Sequence, residues 1–415
     1  MSGAPFRLIQ ADDLTGAADT AVAFAGAGER TVVVPGLGDA IDARLDSVIA
    51  ALEPECVAVD CASRDVEAAQ AARRAADLAR WSQRAGCGSI YKKVDSVLRG
   101  HPGAELHALL EALDGARSVV IAPAYPALGR TTIDARQLVD GRPLPGEDLP
   151  SLFGLDAAHA RLVSLEELRG GFVLDGRPGF VVVDAEVSED LDLLAAAVER
   201  LEPSPLLVGS GGLAAPVAAH RQGGSSACRA YEPPSGRRLV VSVSRTAAAT
   251  GQVERLRELM PQLVDVRLDL STLGRDERAR RREVERAATL VAEGLEVGGD
   301  ALLGVTGSAP AELDPSVVGR AIKGSLEQTL AAALVHERPE LIVANGADSA
   351  LAACTALGAE ALVVERALPA GAVLSLTHGR PDPPLPLVTK SGGFGGPESL
   401  ATLFGALQRA RSAAR

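Results

Sequence analysis

Short apolar runs rich in Val, Ile and Leu alternate with longer Ala- and Leu-rich stretches along the whole chain. The short runs have the length and β-branched character of buried strands, and the longer stretches have the spacing of helices. This alternation is typical of α/β folds with parallel sheets. The strands predicted in the first half are Arg7–Gln10, Thr31–Val34, Val57–Asp60, Ser89–Lys92, Ser118–Ala122, Phe180–Asp184 and Leu206–Val208. Helices are predicted to start near Thr15, Val66, Pro102, Glu189 and Leu213.

A polar segment, QGGSSACRAYEPPSGR, interrupts the alternation between Gln222 and Arg237 and has the composition of a linker. The 415 residues also exceed what one compact core usually holds. We therefore expect one domain over residues 1–222, a linker over 223–237 and a second domain over 238–415. Within the first domain, the Gly- and Pro-containing stretch Thr131–Gly176 is predicted to be an irregular or small antiparallel extension.

The alternation restarts after the linker and predicts a second α/β domain. Its strands are predicted at Leu239–Val243, Val264–Leu270, Ala301–Val305 and Leu341–Ala344, and its helices at Gly251–Met260, Glu277–Glu293, Val317–His336 and Ser349–Leu357. Two further short strands and a last helix from Pro397 complete the prediction.

Charge and cysteine usage narrow the classes of partner. The net charge of −12 at pH 7 disfavours a nucleic-acid partner, because phosphate binding needs a positive surface. The five cysteines show no zinc-site spacing, and no apolar run is long enough to span a membrane. The N-terminus has no signal-peptide pattern. We expect a cytoplasmic protein that binds small molecules and neither nucleic acid nor membrane.

Two adjacent carboxylates follow the first predicted strand, in the segment ADDLTGAADTA, Ala11–Ala21. Ligands of open parallel sheets bind at the carboxyl ends of the strands, which is where Asp12 and Asp13 are expected. The helix predicted from Thr15 would also offer N–H groups to an anion. One aspartate could simply cap this helix, but a cap does not account for two. We therefore predict that both aspartates belong to a substrate site.

A second polar cluster lies between a strand and a helix in YKKVDSVLRGHPGAEL, Tyr91–Leu106. Cations can bind a carboxylate, and an acidic side chain can bind hydroxyls, so the cluster suits a polyhydroxy acid. The predicted substrate-binding residues here are Lys93, Asp95, Ser96 and Arg99. Arg64 and Arg130 each follow another strand and could be either an anion contact or part of a structural ion pair.

The second domain has a Gly-rich turn, TKSGGFGGPESL, Thr389–Leu400, between a strand and a helix. Its glycines allow close approach of the backbone to a ligand, the helix N-terminus favours phosphate, and Lys390 can add charge. The turns Ala344–Ala350 and Val241–Gln252 also follow apolar strands and precede helices. A Walker A motif is absent from the sequence. We predict that the three turns line one nucleotide cleft.

Together these motifs resemble those of the four-carbon acid sugar kinase family over nearly the whole chain. ADDLTGAADTA is similar to the family's N-terminal pattern, and Lys93–Gly100 resembles its K-x-DS-x-LRG pattern. Pro126–Thr132 matches its proline/GRTT turn, and Lys390–Gly395 matches its KSGGFG signature without change.

The sequence departs from the family at several positions near these motifs, among them the Gly-Ser pair expected before the ATP serine, which here reads Val241-Ser242. Val97, His101 and Ala347 stand where the family usually has Thr, Asn and Gly. The first two lie in the turn nearest the expected substrate, so the departures bear mainly on substrate identity.

The resemblance implies an ATP-dependent kinase acting on acids such as threonate, erythronate or 3-oxo-tetronate. It implies two domains, each a mostly parallel sheet flanked by helices. The resemblance also implies that the sugar acid binds to the N-terminal domain and ATP to the C-terminal domain, with the active site in the cleft between them. The ATP contacts carried over from the family are Ser244, Gly346, Ala347, Asp348, Ser349, Gly392, Gly393 and Gly395.

Phosphoryl transfer depends mainly on positioning and charge neutralisation. On this basis Asp12 or Asp13 accepts the proton of the attacking hydroxyl or orients it. Lys93 and Arg99, with Arg64 as a further candidate, hold the substrate carboxylate, and Mg²⁺ bridges the phosphates with support from Asp348. A non-catalytic regulator that binds a sugar acid and a nucleotide remains an alternative, as does, with less support, a nicotinamide dehydrogenase. The sequence leaves a homodimer, the choice of acid and the choice between the two aspartates open.

Overall fold

The computed structural model describes residues 6–36, 41–115, 117–146, 148–156, 160–220, 231, 236–272, 277–309, 311–380 and 382–413. The chain divides into two compact units, Met1–Cys228 and Arg229–Arg415. The division falls in the predicted linker 223–237, most of which lies outside the described residues. Both units are α/β, which confirms the predicted fold class. The predicted cleft between the domains and the predicted homodimer stay predictions.

The first unit alternates strands and helices from its start. Its strands are β1 (Arg7–Ala11), β2 (Thr31–Val34), β3 (Cys56–Asp60), β4 (Ser89–Lys93), β5 (Ser118–Ala122), β6 (Arg130–Ile133), β7 (Arg136–Val139), β8 (Arg142–Pro143), β9 (Ala160–Val163), β10 (Gly179–Val183) and β11 (Leu206–Gly209). Its helices are α1 (Leu14–Gly26), α2 (Asp42–Leu52), α3 (Ala68–Arg84), α4 (Pro102–Ala112), α5 (Leu149–Leu152), α6 (Leu165–Arg169), α7 (Ser188–Glu199) and α8 (Gly211–His220).

The main sheet of the first unit is parallel, in the order β2-β3-β1-β4-β11-β5-β10-β9. From β1 the chain builds β2 and β3 on one side and then crosses to β4 on the other. The carboxyl ends of β1 and β4 therefore flank a topological switch point, where ligands of such sheets bind. A separate antiparallel sheet, β6-β7-β8, confirms the antiparallel extension predicted after Thr131.

The second unit repeats the architecture. Its strands are β12 (Arg238–Val241), β13 (Val264–Asp269), β14 (Ala301–Thr306), β15 (Leu341–Asn345), β16 (Ala359–Leu368), β17 (Ala372–Gly379) and β18 (Pro386–Lys390). Its helices are α9 (Ala247–Leu259), α10 (Glu277–Glu296), α11 (Pro315–His336), α12 (Ala347–Leu357) and α13 (Ser399–Ala413). The order is β13-β14-β12-β15-β18-β17-β16, with β17 antiparallel to both its neighbours. Here the switch point lies between β12 and β15.

Several boundaries differ from the sequence predictions. Helix α2 was not predicted, because only Leu45 and Val48 of it are buried and the apolar stripe is narrow. The two short strands predicted after α12 are a long antiparallel hairpin, β16 and β17, followed by a third strand, β18. The polar, partly exposed positions of β16 conceal its length in the sequence. None of the helices in the described ranges is long and apolar enough to cross a membrane.

Candidate active site

Arg64 joins the two aspartates that follow β1. Its guanidinium donates to both oxygens of Asp12, with Nε–Oδ2 at 2.7 Å and Nη2–Oδ1 at 2.9 Å. The third nitrogen pairs with Asp13 Oδ2. The peptide oxygen of Asp12 also accepts from the backbone N–H groups of Ser63 and Arg64. The loop after β3 is therefore fastened to the loop after β1 by side chains and backbone together.

Asp13 is also the cap of helix α1. Its Oδ1 accepts from the backbone N–H of Gly16 at 2.6 Å, as expected of an N-cap residue. Burial raises the pKa of Asp13; the charge of Arg64 opposes this shift and the neighbouring Asp12 adds to it. The capping interpretation thus applies to Asp13, and Asp12 is the additional acid that capping does not explain.

The loop after β4 brings the second polar cluster to the same place. Asp95 accepts from Arg99 Nε at 2.7 Å and Nη2 at 2.8 Å, and Arg64 Nη2 lies 3.6 Å from it. Burial alone would raise the pKa of Asp95, but the hydrogen bonds from Arg99 and the charges of both arginines hold it well below its usual range. The Arg99 side chain is 56% exposed, so its outer face can meet a ligand.

Lys93 lies over the first turn of α1. A Cβ built on Gly16 would stand 3.0 Å from Lys93 Nζ and 2.9 Å from Asp13 Oδ1. Glycine at this position therefore gives the ammonium group room beside the helix. Lys93 Nζ also donates to the carbonyl of Val94 at 2.9 Å.

Two other predicted substrate residues have different surroundings. Ser96 is buried, and its carbonyl accepts from Gln137 Nε2 at 2.9 Å, which ties the loop to β7. Arg130 begins β6 and donates to the carbonyl of Leu128 in its own turn. The structure thus brings six of the predicted residues together: Asp12, Asp13, Arg64, Lys93, Asp95 and Arg99. Among the described side chains, Arg130 makes no ion pair with the carboxylates of this group.

The loops that carry these residues contain unusual backbone. Ala62 and Leu98 have φ values of 47° and 61°, in the left-handed region that non-glycine residues rarely occupy. Gly100 has φ of 83°, and a Cβ there would lie 3.4 Å from Asp12 Oδ2. Such conformations concentrate at ligand sites, where the surrounding structure holds them in place. The Asn-to-His departure has a local explanation as well, since His101 Nε2 lies 2.7 Å from the carbonyl of Val66.

Sequence reasoning missed Asp19, on the second turn of α1. It is partly buried beside Tyr125, whose hydroxyl lies 3.4 Å from Oδ1. Burial raises the pKa of Asp19 to about 6, opposed by the charge of Lys93 and the hydrogen bond from Tyr125. Gly16 and Asp19 are three residues apart and therefore neighbours on α1, whereas Asp13 is the N-cap with extended backbone. The sequence signal for Asp19 was therefore weak.

In the second unit, the turns after β12, β15 and β18 meet at the switch point. Gly346 caps α12 with φ of 105° and ψ of 153°, a conformation that essentially requires glycine. A Cβ on Gly346 would lie 3.6 Å from the Cβ of Ser244, and one on Gly392 would lie 3.5 Å from it. Residues of all three predicted turns are therefore neighbours.

The N-terminus of α12 opens into this group of turns. Ala347 and Asp348 form its first turn, with Asp348 exposed. Ser349 is buried, and its hydroxyl accepts from the backbone N–H of Val243 at 3.2 Å, which joins the helix to the turn after β12. A Cβ on Gly393 would meet no atom within 4 Å, so this residue faces open space. Gly395 has φ of 79° and packs against Ser399.

Lys390 lies beneath the Gly-rich turn. Its Nζ donates to Gln252 Oε1 at 2.9 Å and to the carbonyls of Ser391 and Phe394 at 3.0 and 2.9 Å. The side chain is fully buried, and burial lowers its pKa to about 8. In this structure the ammonium group braces the turn, and its predicted contact with the nucleotide stays a prediction.

Comparisons with known proteins match each unit of the chain to a family model. Residues 7–217 match the family model of a sugar-binding N-terminal domain, and residues 239–400 match that of a nucleotide-binding C-terminal domain. A D-threonate kinase of Cupriavidus necator is 32% identical, over 98% of this chain and 99% of its own. A 3-oxo-tetronate kinase of Methylobacterium radiotolerans is 29% identical, over 93% and 95%.

Solved structures agree on the fold. A Salmonella typhimurium protein superposes with a TM-score of 0.73 at 21% identity, covering 95% of this chain and 98% of its own. A Haemophilus influenzae protein superposes with a TM-score of 0.67 at 21% identity, covering 96% and 100%. The family models, the full-length relatives and the intact KSGGFG turn lead to one assignment. The chain belongs to the four-carbon acid sugar kinase family and is a phosphotransferase that acts on an alcohol group.

Proposed function

We propose that this protein is an ATP-dependent kinase that phosphorylates a hydroxyl of a four-carbon sugar acid such as threonate, erythronate or 3-oxo-tetronate. One observation supports this most directly. At the β1/β4 switch point of the domain that matches the sugar-binding family model, the Arg64 guanidinium lies within 4 Å of the carboxylates of Asp12, Asp13 and Asp95. Lys93 and the exposed Arg99 add positive charge beside these carboxylates. A small molecule with both a carboxylate and hydroxyls is complementary to such alternating charge.

The roles follow from exposure and partners. Arg99 and Lys93 hold the substrate carboxylate, because Arg99 has an exposed outer face and Lys93 Nζ lies beside the first turn of α1. Asp12 and Asp13, fixed by Arg64, are the acids that border the reacting hydroxyl. Asp95 and Ser96 position the loop that carries Arg99. For Arg130 we retain only a supporting role in the turn before β6.

ATP is proposed to bind at the β12/β15 switch point of the second unit. The first N–H groups of α12 and the backbone of Gly392 and Gly393 suit phosphate, and the Ser244 hydroxyl lies beside them. Gly346, Ala347, Ser349 and Gly395 shape these turns, and Lys390 braces them from below.

Magnesium fits this site as an ion held mostly by phosphates. Among the described residues, no group of three or more His, Cys, Asp or Glu side chains could hold a metal. Mg²⁺ commonly uses one or two carboxylates together with phosphate oxygens and water, and Asp348 in the first turn of α12 could supply one. When bound, the ion would neutralise charge on the transferring phosphates.

The test is a coupled assay of ADP release with a panel of aldonic and oxo-aldonic acids, in the presence of Mg²⁺ and ATP. We expect acid-dependent ADP release with at least one four-carbon acid, and phosphorus NMR should show a new phosphate monoester. Reactions without acid and with the Asp12→Asn variant serve as controls. If no acid in the panel gives turnover, the proposed kinase function fails, and an acid that binds without turnover would indicate a regulator instead.

A further inference from the structure

The proposed reaction needs a group that takes the proton of the attacking hydroxyl. A carboxylate does this well when it has an uncommitted lone pair and a pKa near the working pH. Both oxygens of Asp12 accept from Arg64. Asp13 accepts from the Gly16 N–H on one oxygen and pairs with Arg64 on the other. These two acids are therefore occupied by strong donors.

Asp19 offers a carboxylate in the same place with fewer commitments. Gly16 and Asp19 are three residues apart and therefore neighbours on the surface of α1, and Lys93 Nζ lies over Gly16. The charge of Lys93 acts on both Asp13 and Asp19. Among the described residues, the hydroxyl of Tyr125 is the donor to Asp19, at the long distance of 3.4 Å. The residue as a whole is only partly buried, although burial is the largest influence on the pKa of its carboxyl group.

Three strand-end loops enclose this carboxylate. Lys93 ends β4, Tyr125 follows β5, and Gly211 begins α8 directly after β11. A Cβ on Gly211 would lie 2.1 Å from Asp19 Oδ2, so only glycine admits the carboxylate there. Because β4, β11 and β5 are adjacent in the sheet, Asp19 stands at the same carboxyl edge as the Asp12–Arg64–Asp13 cluster.

We propose that Asp19 is the catalytic base of the phosphoryl transfer, a step that rests on the proposed function. The substrate oxygen forms a bond to the γ-phosphorus of ATP, and the bond between this phosphorus and the β,γ-bridging oxygen breaks. ADP leaves with the electron pair, and the hydroxyl proton passes to the Asp19 carboxylate. Lys93 stabilises the ionised base, and Asp12 and Asp13 orient the hydroxyl under the control of Arg64.

The electrostatic surroundings suit this role. Burial raises the pKa of Asp19 to about 6, and Lys93 and Tyr125 lower it while Asp13 raises it. Tyr91 faces the same carboxylate from β4. A carboxyl with a pKa of about 6 is mostly ionised at neutral pH, yet basic enough to share a proton in a transition state. The free enzyme should therefore lose kcat/KM as the pH falls through about 6.

The first test is Asp19→Asn in the full-length protein, assayed with the acid that the panel identifies. We expect kcat to fall by about 10²–10⁴-fold with KM for the acid nearly unchanged, and the acid limb of the kcat/KM profile to disappear. Asp192→Asn is the matched control, because it makes the same change on an exposed face of α7. ATP affinity measured by calorimetry and the fluorescence of Trp81 report whether the variant is folded.

Tyr125→Phe is a second, independent test. The hydroxyl stabilises ionised Asp19, so its removal should raise the pKa of Asp19 and shift the acid limb to higher pH. A limb that does not move overturns the proposal, even if Asp19→Asn fails to fold. The proposal is also overturned if Asp19→Asn retains more than a tenth of kcat. It is likewise overturned if the acid limb of the kcat/KM profile disappears in Asp12→Asn or Asp13→Asn but persists in Asp19→Asn. If the wild-type protein releases no ADP with any acid, the proposed function fails together with this assignment.

Discussion

The buried ion pair beneath the substrate loop allows a quantitative test of the structure. Lys92 of β4 and Glu105 of α4 are 1% and 2% exposed, and their side chains pair directly. Burial alone would lower the pKa of Lys92, but the charge and the hydrogen bond of Glu105 outweigh it and raise the pKa. Removing one partner leaves the other charge buried without compensation, which typically costs about 3–5 kcal/mol.

The loss of stability has an upper limit, because the remaining partner can become neutral by losing or gaining a proton. In the Glu105→Leu variant the lone Lys92 can give up its proton at pH 7, which costs about 4.6 kcal/mol at about 1.36 kcal/mol per pH unit below an ordinary lysine pKa. In the Lys92→Met variant a lone glutamate can take up a proton instead, at about 3.7 kcal/mol. The double variant removes both charges and should lie close to the wild type, since a well-packed apolar pair can replace a buried ion pair.

The single tryptophan of the chain provides a fluorescence assay for unfolding. Trp81 is the single tryptophan, and it is buried on α3 in the first unit. Its fluorescence during urea unfolding therefore reports the domain that contains the ion pair. With an m value of about 2–3 kcal/mol per molar, each single variant should lower the urea midpoint by about 1–2 M.

The stability defects of the two single variants should change in opposite directions with pH. A lone lysine becomes easier to neutralise as the pH rises, so the defect of Glu105→Leu should shrink between pH 7 and 9. A lone glutamate becomes easier to protonate as the pH falls, so the defect of Lys92→Met should shrink between pH 7 and 5. The reasoning is refuted if the double variant is as unstable as the single variants, or if either defect changes with pH in the opposite direction.

The parts of the fold that the sequence predicts well are those governed by local pattern. Strands β1, β2 and β5 are buried on both faces and consist mostly of apolar residues, so their bounds fall within a residue of the prediction. Strands β16 and β17 have mixed burial, and they pair with each other as an antiparallel hairpin joined by a short turn. Periodicity cannot show such pairing, which is why two short strands were predicted in place of a long hairpin.

In the candidate site, too, the features set by local sequence were predictable and those set by tertiary contacts were not. The residues in the ADDLTG and K-x-DS-x-LRG motifs were identifiable because several polar groups crowd a strand end. The environment of each group depends on tertiary contacts and was not predictable. Lys390 was expected to face phosphate, yet it donates to Gln252 and two carbonyls beneath the turn. Asp19 lies within a predicted helix, and its pKa is raised by burial in the tertiary structure, against the charge of Lys93 and the hydrogen bond from Tyr125.

Two further substitutions separate the sites of the two ligands. Arg99→Ala should raise the KM for the acid by roughly 10–150-fold, because a hydrogen bond to a charged group contributes about 1.5–3 kcal/mol. A loss confined to kcat would place Arg99 on the transferring phosphoryl group instead, and Arg278→Ala, on the exposed face of α10, is the control. Gly393→Val should weaken ATP binding at least about tenfold by the same reasoning. A Cβ at this position meets no protein atom within 4 Å, so we expect the loss to arise from the nucleotide rather than from misfolding. Gly319→Val, where a Cβ is equally unobstructed, should leave ATP affinity unchanged in calorimetry, and equal affinities in all three proteins would remove the Gly-rich turn from the nucleotide site.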